Sequence, residues 1–151
     1  MEYIKATDKN IDDVFNIVQN TVAAVYSHYY PKEVVDFFRE LHNRENIAED
    51  IKNGNVGILM DNGKAVGTGS CEGNHITRVY VLPGFQRKGY GSFIMQCLED
   101  AIAQKYDKVL LDASLPASHL YECRGYHTIK HERWPVENDV VLVYEVMEKF
   151  L

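Results

Sequence analysis

One stretch of the sequence concentrates chemistry suited to an anion: Arg78-Val79-Tyr80-Val81-Leu82-Pro83-Gly84-Phe85-Gln86-Arg87-Lys88-Gly89-Tyr90-Gly91-Ser92. A strand pattern ends at Pro83, a loop with three glycines and two cations follows, and an amphipathic helix begins. A helix start presents unpaired N–H groups and the positive end of its dipole, which suits a phosphate. Glycines let backbone approach a ligand with no Cβ in the way. Residues 73–98 contain no Asp or Glu, although the chain carries 22 acids. The P-loop pattern GxxxxGK[ST] is absent, which disfavours a nucleotide triphosphatase. Gly67-Thr68-Gly69 opens like GxGxxG, but Glu72 stands at the last glycine position and the segment reads as a hairpin strand, so a dinucleotide fold is rejected.

The elements that must hold this loop follow from periodicity. Tyr3 to Ala6 reads as a short strand, and Thr7 or Asp8 can cap a helix bearing Ile11, Val14, Phe15, Ile17, Val18, Val22 and Val25. That helix stops before Pro31, where a second begins with Val34, Val35, Phe37, Phe38 and Leu41 on its apolar side. Val56–Met60 and Ala65–Cys71 form a hairpin across Asp61-Asn62-Gly63-Lys64. A strand from His75 to Leu82, a helix from Gly91 to Tyr106 and a strand at Val109–Leu111 make a crossover unit. A small helix covers Ala117 to Arg124, with Gly125 as its left-handed cap. Strands at Tyr126–His131 and Val140–Met147 close the chain, with Trp134-Pro135 on the loop between them. The order β-α-α-β-β-β-α-β-α-β-β predicts a mixed sheet with helices on both faces.

Composition bounds the function. A chain of 151 residues with 46% hydrophobic content reads as one domain with a self-sufficient core. A net charge of −6 argues against nucleic-acid binding. The three cysteines, Cys71, Cys97 and Cys123, form no CxxC pair, and no His/Cys cluster has zinc spacing, so neither a disulfide framework nor a metal is expected. Most of the six histidines are expected at the surface. No apolar run approaches 18 residues, and Met1 to Lys5 lacks the h-region of a signal peptide. The expectation is a reduced, cytoplasmic protein with no membrane partner.

Gln86-Arg87-Lys88-Gly89-Tyr90-Gly91 resembles the Q/R-x-x-G-x-G/A loop of the GNAT superfamily of acetyl-CoA-dependent N-acetyltransferases. Val79 to Pro83 resembles the strand before that loop, and Leu120-Tyr121-Glu122-Cys123-Arg124-Gly125-Tyr126 resembles the later "LYexxGF" block. The block spacing and element order match as well, so the resemblance covers nearly the whole chain. It implies one GNAT-like acyl-CoA N-acyltransferase domain over 1–151, α/β with a mixed, mostly antiparallel central sheet. It implies that acetyl-CoA is the cosubstrate, that no metal takes part, and that an amine attacks the thioester directly in a ternary complex. Backbone amides of Gln86, Arg87, Lys88, Gly89, Tyr90, Gly91 and Ser92 would cradle the pyrophosphate. Val79 and Val81 would pair with the pantetheine arm. Tyr121 would protonate the departing thiolate with only modest tuning of its pKa. Ser114 stands where the family often has Asn, so one pantetheine contact would come from a hydroxyl instead.

The remaining roles have competing readings. Taken alone, Tyr121 is a packing residue; the resemblance makes it the acid. Glu72 is the candidate general base, or an exposed carboxylate ending its strand. Asp112 is the other carboxylate near the expected cleft, or a helix cap. Tyr29 and Tyr30 are candidate walls of the acceptor pocket or core aromatics, and Trp134 has the same two readings. Cys123 reads as packing. The rival function is a non-catalytic acyl-CoA-binding or sensor module on the same fold. The expected partner is a small-molecule or peptide amine, with the acidic balance favouring cationic acceptors. The apolar strand Val140 to Val143 is a candidate pairing edge for a homodimer.

Overall fold

The computed structural model describes all 151 residues. Its elements in chain order are β1 (Glu2–Lys5), α1 (Ile11–Val25), α2 (Lys32–Leu41), α3 (Arg44–Lys52), β2 (Val56–Asp61), β3 (Lys64–Glu72), β4 (His75–Val81), α4 (Tyr90–Ile102), β5 (Lys108–Ala113), α5 (Ser118–Cys123), β6 (His127–Pro135) and β7 (Val141–Phe150). The seven strands form one sheet in the order β1-β2-β3-β4-β5-β7-β6. Every neighbouring pair is antiparallel except β4–β5, which is parallel, as the crossover through α4 requires. The β2–β3 hairpin turns on Asn62 and Gly63, both with positive φ, the geometry an Asn-Gly turn favours.

Two cores lie on opposite faces of the sheet. On one face α1 lays Val14, Ile17, Val18 and Val22 against Ile47 and Ile51 of α3, and against Ile58 and Tyr80 of the sheet. On the other, Ile94, Met95, Leu98 and Ile102 of α4 pack with Leu59, Val66, Leu111 and Met147. The glycines of Gly67-Thr68-Gly69 have a packing cause. A Cβ on Gly67 would stand 2.8 Å, and one on Gly69 2.6 Å, from the Ile94 side chain, so α4 sits directly on the β3 backbone.

Three features differ from the sequence expectation. A helix, α3, lies between the expected second helix and the hairpin. Asn43 caps it by accepting from the Asn46 N–H at 2.8 Å, and Ile47 and Ile51 are its apolar stripe. Trp134 and Pro135 end β6 rather than forming a loop. One side of the start of β7 is filled within the chain, since Val141, Leu142 and Val143 pair with Pro135, Trp134 and Arg133 of β6, while the side toward β5 carries no strand before Glu145.

The sheet opens at one point. Between β3 and β4 the register shifts, leaving Thr77 as an extra residue that bulges β4. β4 pairs with β5 only at His75 and Ile76. Beyond the bulge the two strands part, and the gap lies where β4 runs into the glycine loop.

Candidate active site

The loop after β4 has a backbone suited to an anion. Arg87 (φ 62°) and Gly89 (φ 85°) take left-handed backbone conformations, and a Cβ at Gly84 or Gly89 would meet nothing within 4 Å. The backbone N–H groups of Arg87, Lys88, Gly89, Tyr90, Gly91 and Ser92 have no acceptor within the protein; the first bond of α4's entry is from Phe93 N–H to the Gly89 carbonyl. Six successive free donors at a helix start fit a pyrophosphate. Gln86 does something else: its side chain donates to the Val81 carbonyl at 3.0 Å and ties the loop back to the strand. The Tyr90 hydroxyl donates to Asp61, fixing the start of α4 to the β2–β3 turn.

Val79 and Val81 lie where β4 has no strand beside it. Leu82 N–H donates to Val66 of β3, so by strand alternation the N–H groups of Val79 and Val81 point the other way, into the gap. The gap continues into a cavity of about 320 Å³. Val79, Ala113, Ser114 and Tyr121 line its more buried side, and Phe37, Phe38, Trp134 and Tyr144, with Leu41, form a largely aromatic outer wall. Tyr121 is 8% exposed. Burial, and secondarily the neighbouring Tyr26, hold its phenol well above the ordinary tyrosine range, a larger shift than the sequence reading expects. The Ser114 hydroxyl accepts a hydrogen bond from Tyr26 at 3.2 Å.

The carboxylates are placed differently from expectation. Glu72 ends β3 on an exposed turn opposite His75 and lines neither this cavity nor its neighbour. The strand it ends runs toward the paired end of β4, whereas the gap opens at the other end. Asp112, on β5, is the one carboxylate on the wall of the Tyr121 cavity, with its Oδ2 at 3.6 Å from His75 Nε2. It caps no helix; Ala117 holds that position on α5. Tyr29 is 55% exposed and outside the cavity. Tyr30 is also outside it, but its hydroxyl accepts from the Leu115 N–H at 2.7 Å and anchors the segment after β5; burial, partly offset by that bond, pushes its pKa up to about 12. Trp134 does line the cavity. Cys123 is exposed rather than packed, and its sulfur lies 3.6 Å from His119 Nε2, outside the cavity.

A second cavity of about 380 Å³ adjoins the first; Leu41, His42, Ile76, Thr77, Arg78 and Asp112 line both. Asn46, Glu49 and Asp50 of α3 and His75 of β4 complete it. His42 is a functional candidate that the sequence reading missed, and Arg78, read there as part of the anion-binding stretch, lines these two cavities instead. His42 is buried, against the expectation of surface histidines, and its Nδ1 accepts from Arg78 Nε at 2.9 Å. An arginine can only donate, so the His42 proton sits on Nε2 and is given to Tyr80 Oη, 3.2 Å away. Burial and the Arg78 charge push its pKa down to about 3. With both nitrogens committed, His42 is a neutral strut and not a base.

Residues 25–143 match the acetyltransferase (GNAT) domain family. The chain belongs to this family of acetyltransferases. It is 28% identical over 115 residues to N-alpha-acetyltransferase 20 of Dictyostelium discoideum, over 76% of this chain and 65% of that protein, so it spans a little under two thirds of that relative's length. A GCN5-related N-acetyltransferase from Rhodopseudomonas palustris superposes with a TM-score of 0.91 at 20% identity, over 99% of this chain and 95% of that one. The PaiA N-acetyltransferase of Thermoplasma acidophilum, solved in complex with coenzyme A, superposes at 0.77 with 16% identity, over 99% and 98% of the two chains. These two likenesses establish the fold.

Proposed function

We propose that the protein transfers an acetyl group from acetyl-CoA to a primary amine by direct attack within a ternary complex. The observation that carries this reading is the unpaired edge of β4, which runs from the six-amide cradle into a cavity holding Tyr121 and Asp112. The amides of Arg87 to Ser92, with the Arg87 and Lys88 charges, hold the pyrophosphate. Val79 and Val81 pair with the pantetheine arm, and the Ser114 hydroxyl supplies a further bond. The cosubstrate brings an activated acetyl thioester.

The chain's own groups manage charge and protons. The Val79 N–H polarises the thioester carbonyl. Asp112 takes the proton that the amine sheds as its nitrogen bonds to the acetyl carbon. Tyr121 gives its proton to the sulfur as the C–S bond breaks. A phenol held above its ordinary pKa stays protonated, and the thiolate it meets is made more basic by the same apolar surroundings. No cysteine lines the cavity, in keeping with transfer that needs no acyl-enzyme. Calorimetric titration with acetyl-CoA, followed by thiol release over an amine panel, tests the reading. Saturable binding with amine-dependent release is expected. Absence of binding at millimolar acetyl-CoA refutes it, and binding without release by any amine points to the sensor module instead.

A further inference from the structure

Arg78 carries a donor with no use inside the protein. Its side chain is 4% exposed. Nε donates to His42 Nδ1 at 2.9 Å, and Nη1 donates to Asp50 Oδ2 at 2.6 Å and to Ser70 Oγ at 3.3 Å. Nη2 makes no hydrogen bond. It is not sealed in the core either, since Arg124 Nε is the only buried side-chain nitrogen or oxygen without a partner. Arg78 lines both cavities, so Nη2 opens onto them. A buried guanidinium held at three points, with one free N–H pair at a cavity wall, is a preorganised donor for a ligand oxygen.

The surroundings select which oxygen. Glu49, Asp50 and Asp112 line the second cavity with Arg78 and His75, three carboxyl groups against one guanidinium and one imidazole, so a ligand carboxylate meets repulsion. A neutral carbonyl does not, and it offers the pure acceptor that Nη2 needs. The neighbouring carboxylates in turn accept from an amide N–H and attract an incoming ammonium. The wall of Phe37, Phe38, Trp134 and Tyr144, with Leu41, suits an apolar side chain. Building on the acetyltransferase reading, we infer that Arg78 selects the acceptor: an α-amino amide with an apolar or aromatic side chain, the group found at a peptide N-terminus, with its carbonyl on Arg78 Nη2.

Three amines on one carbon frame test this: phenylalaninamide, phenethylamine, which lacks the carbonyl, and phenylalanine, which has a carboxylate. Dissociation constants are measured calorimetrically on the CoA-saturated protein, and kcat/KM by thiol release. The amide is expected to bind and react roughly tenfold or more better than either of the others, the worth of a hydrogen bond to a charged donor. Arg78→Lys, which keeps a charge for Asp50 but loses the fork, brings the amide-to-phenethylamine ratio close to one. Equal affinities in the wild type, a preference for phenylalanine, or an unchanged ratio in Arg78→Lys overturns the inference. If that variant does not fold, the wild-type ranking decides. If CoA binds but no amine releases thiol, the acetyltransferase reading fails, and the binding ranking still judges Arg78.

Discussion

At the residue scale, the proposed reaction divides the proton work between two side chains whose surroundings differ. Tyr121 is buried on α5 and Asp112 is 48% exposed at its side chain on β5, yet both face one cavity. Tyr121→Phe keeps the ring packing against Tyr126, at 5.8 Å between centroids, and removes only the proton. It is expected to lower kcat about 100-fold while leaving acetyl-CoA affinity within about threefold, the usual worth of a positioned acid. The raised phenol pKa carries a sign: the acid works while protonated, so no alkaline loss of activity from Tyr121 is expected below pH 10, the ordinary tyrosine value. A loss of kcat centred below that value, absent in Tyr121→Phe, contradicts the burial argument. Asp112→Asn is expected to lower kcat by a similar factor, and Glu72→Gln to leave it nearly unchanged. Equal effects of the two would return the base role to Glu72. The sequence named Tyr121 because its block has a recognisable pattern. It passed over His42 because nothing local distinguishes a buried histidine from an exposed one, and it read Arg78 only as part of the anion-binding stretch. Their partners are set by tertiary packing and by strand register: Arg78 meets Asp50 of α3 and Ser70 on the neighbouring strand β3, and His42 after α2 meets Tyr80 on β4.

At the element scale, Tyr121 depends on how α5 is fastened. The helix has only six residues, too short to hold itself in water. Its anchor is Glu99 of α4, almost fully buried, which accepts from Arg124 at the end of α5, from the Tyr126 hydroxyl at 2.8 Å and from Lys149 of β7 at 3.1 Å. Burial alone would raise the Glu99 pKa, but these three donors outweigh it and leave it lowered. A lowered carboxyl pKa contributes stability that is present above the unfolded value, near 4.3, and is lost as pH falls through the folded value. Glu99→Gln is expected to cost about 2–3 kcal/mol at pH 7, since Arg124 and Lys149 lose their counter-charge but still reach water. Urea titrations from pH 3 to 7 check this: the wild type should lose stability at the acid end, and the variant should show a shallower dependence there. Parallel curves would remove Glu99 as the anchor. The same scale shows why α3 was hidden from the sequence. Its stripe is only Ile47 and Ile51 among charged residues, whereas the long stripes of α1 and α4 announce themselves. An Asn cap at Asn43 with isoleucines four and eight residues on was the available signal.

At the scale of the whole molecule, the sheet is two pieces joined at a narrow seam. β1 to β4 form a continuous antiparallel run, and so do β5, β7 and β6, but only His75 and Ile76 pair across the join. The seam was foreseeable as a parallel crossover from the strand–helix–strand order. Its opening was not, because a one-residue bulge at Thr77 leaves no mark in hydrophobic alternation this short. A ligand arm lying along Val79 and Val81 on one side, with Ser114 on the other, would bridge the two pieces. Binding to the folded state alone then stabilises the whole domain by mass action, about 2.7 kcal/mol at 100 times Kd. For a domain of this size that corresponds to a Tm rise of roughly 5–10 °C. Hydrogen exchange should locate the effect, with CoA slowing exchange at Val79, Val81 and the amides of residues 87–92, where the protein supplies no acceptor of its own. The strands β1 and β2, remote from the seam, should keep their rates apart from the global term. Rising salt should diminish the Tm shift, because the proposed pyrophosphate site draws on Arg87 and Lys88 in a chain of net negative charge. A Tm rise without protection of residues 87–92 would mean that CoA sits elsewhere, and the cradle would then need another ligand.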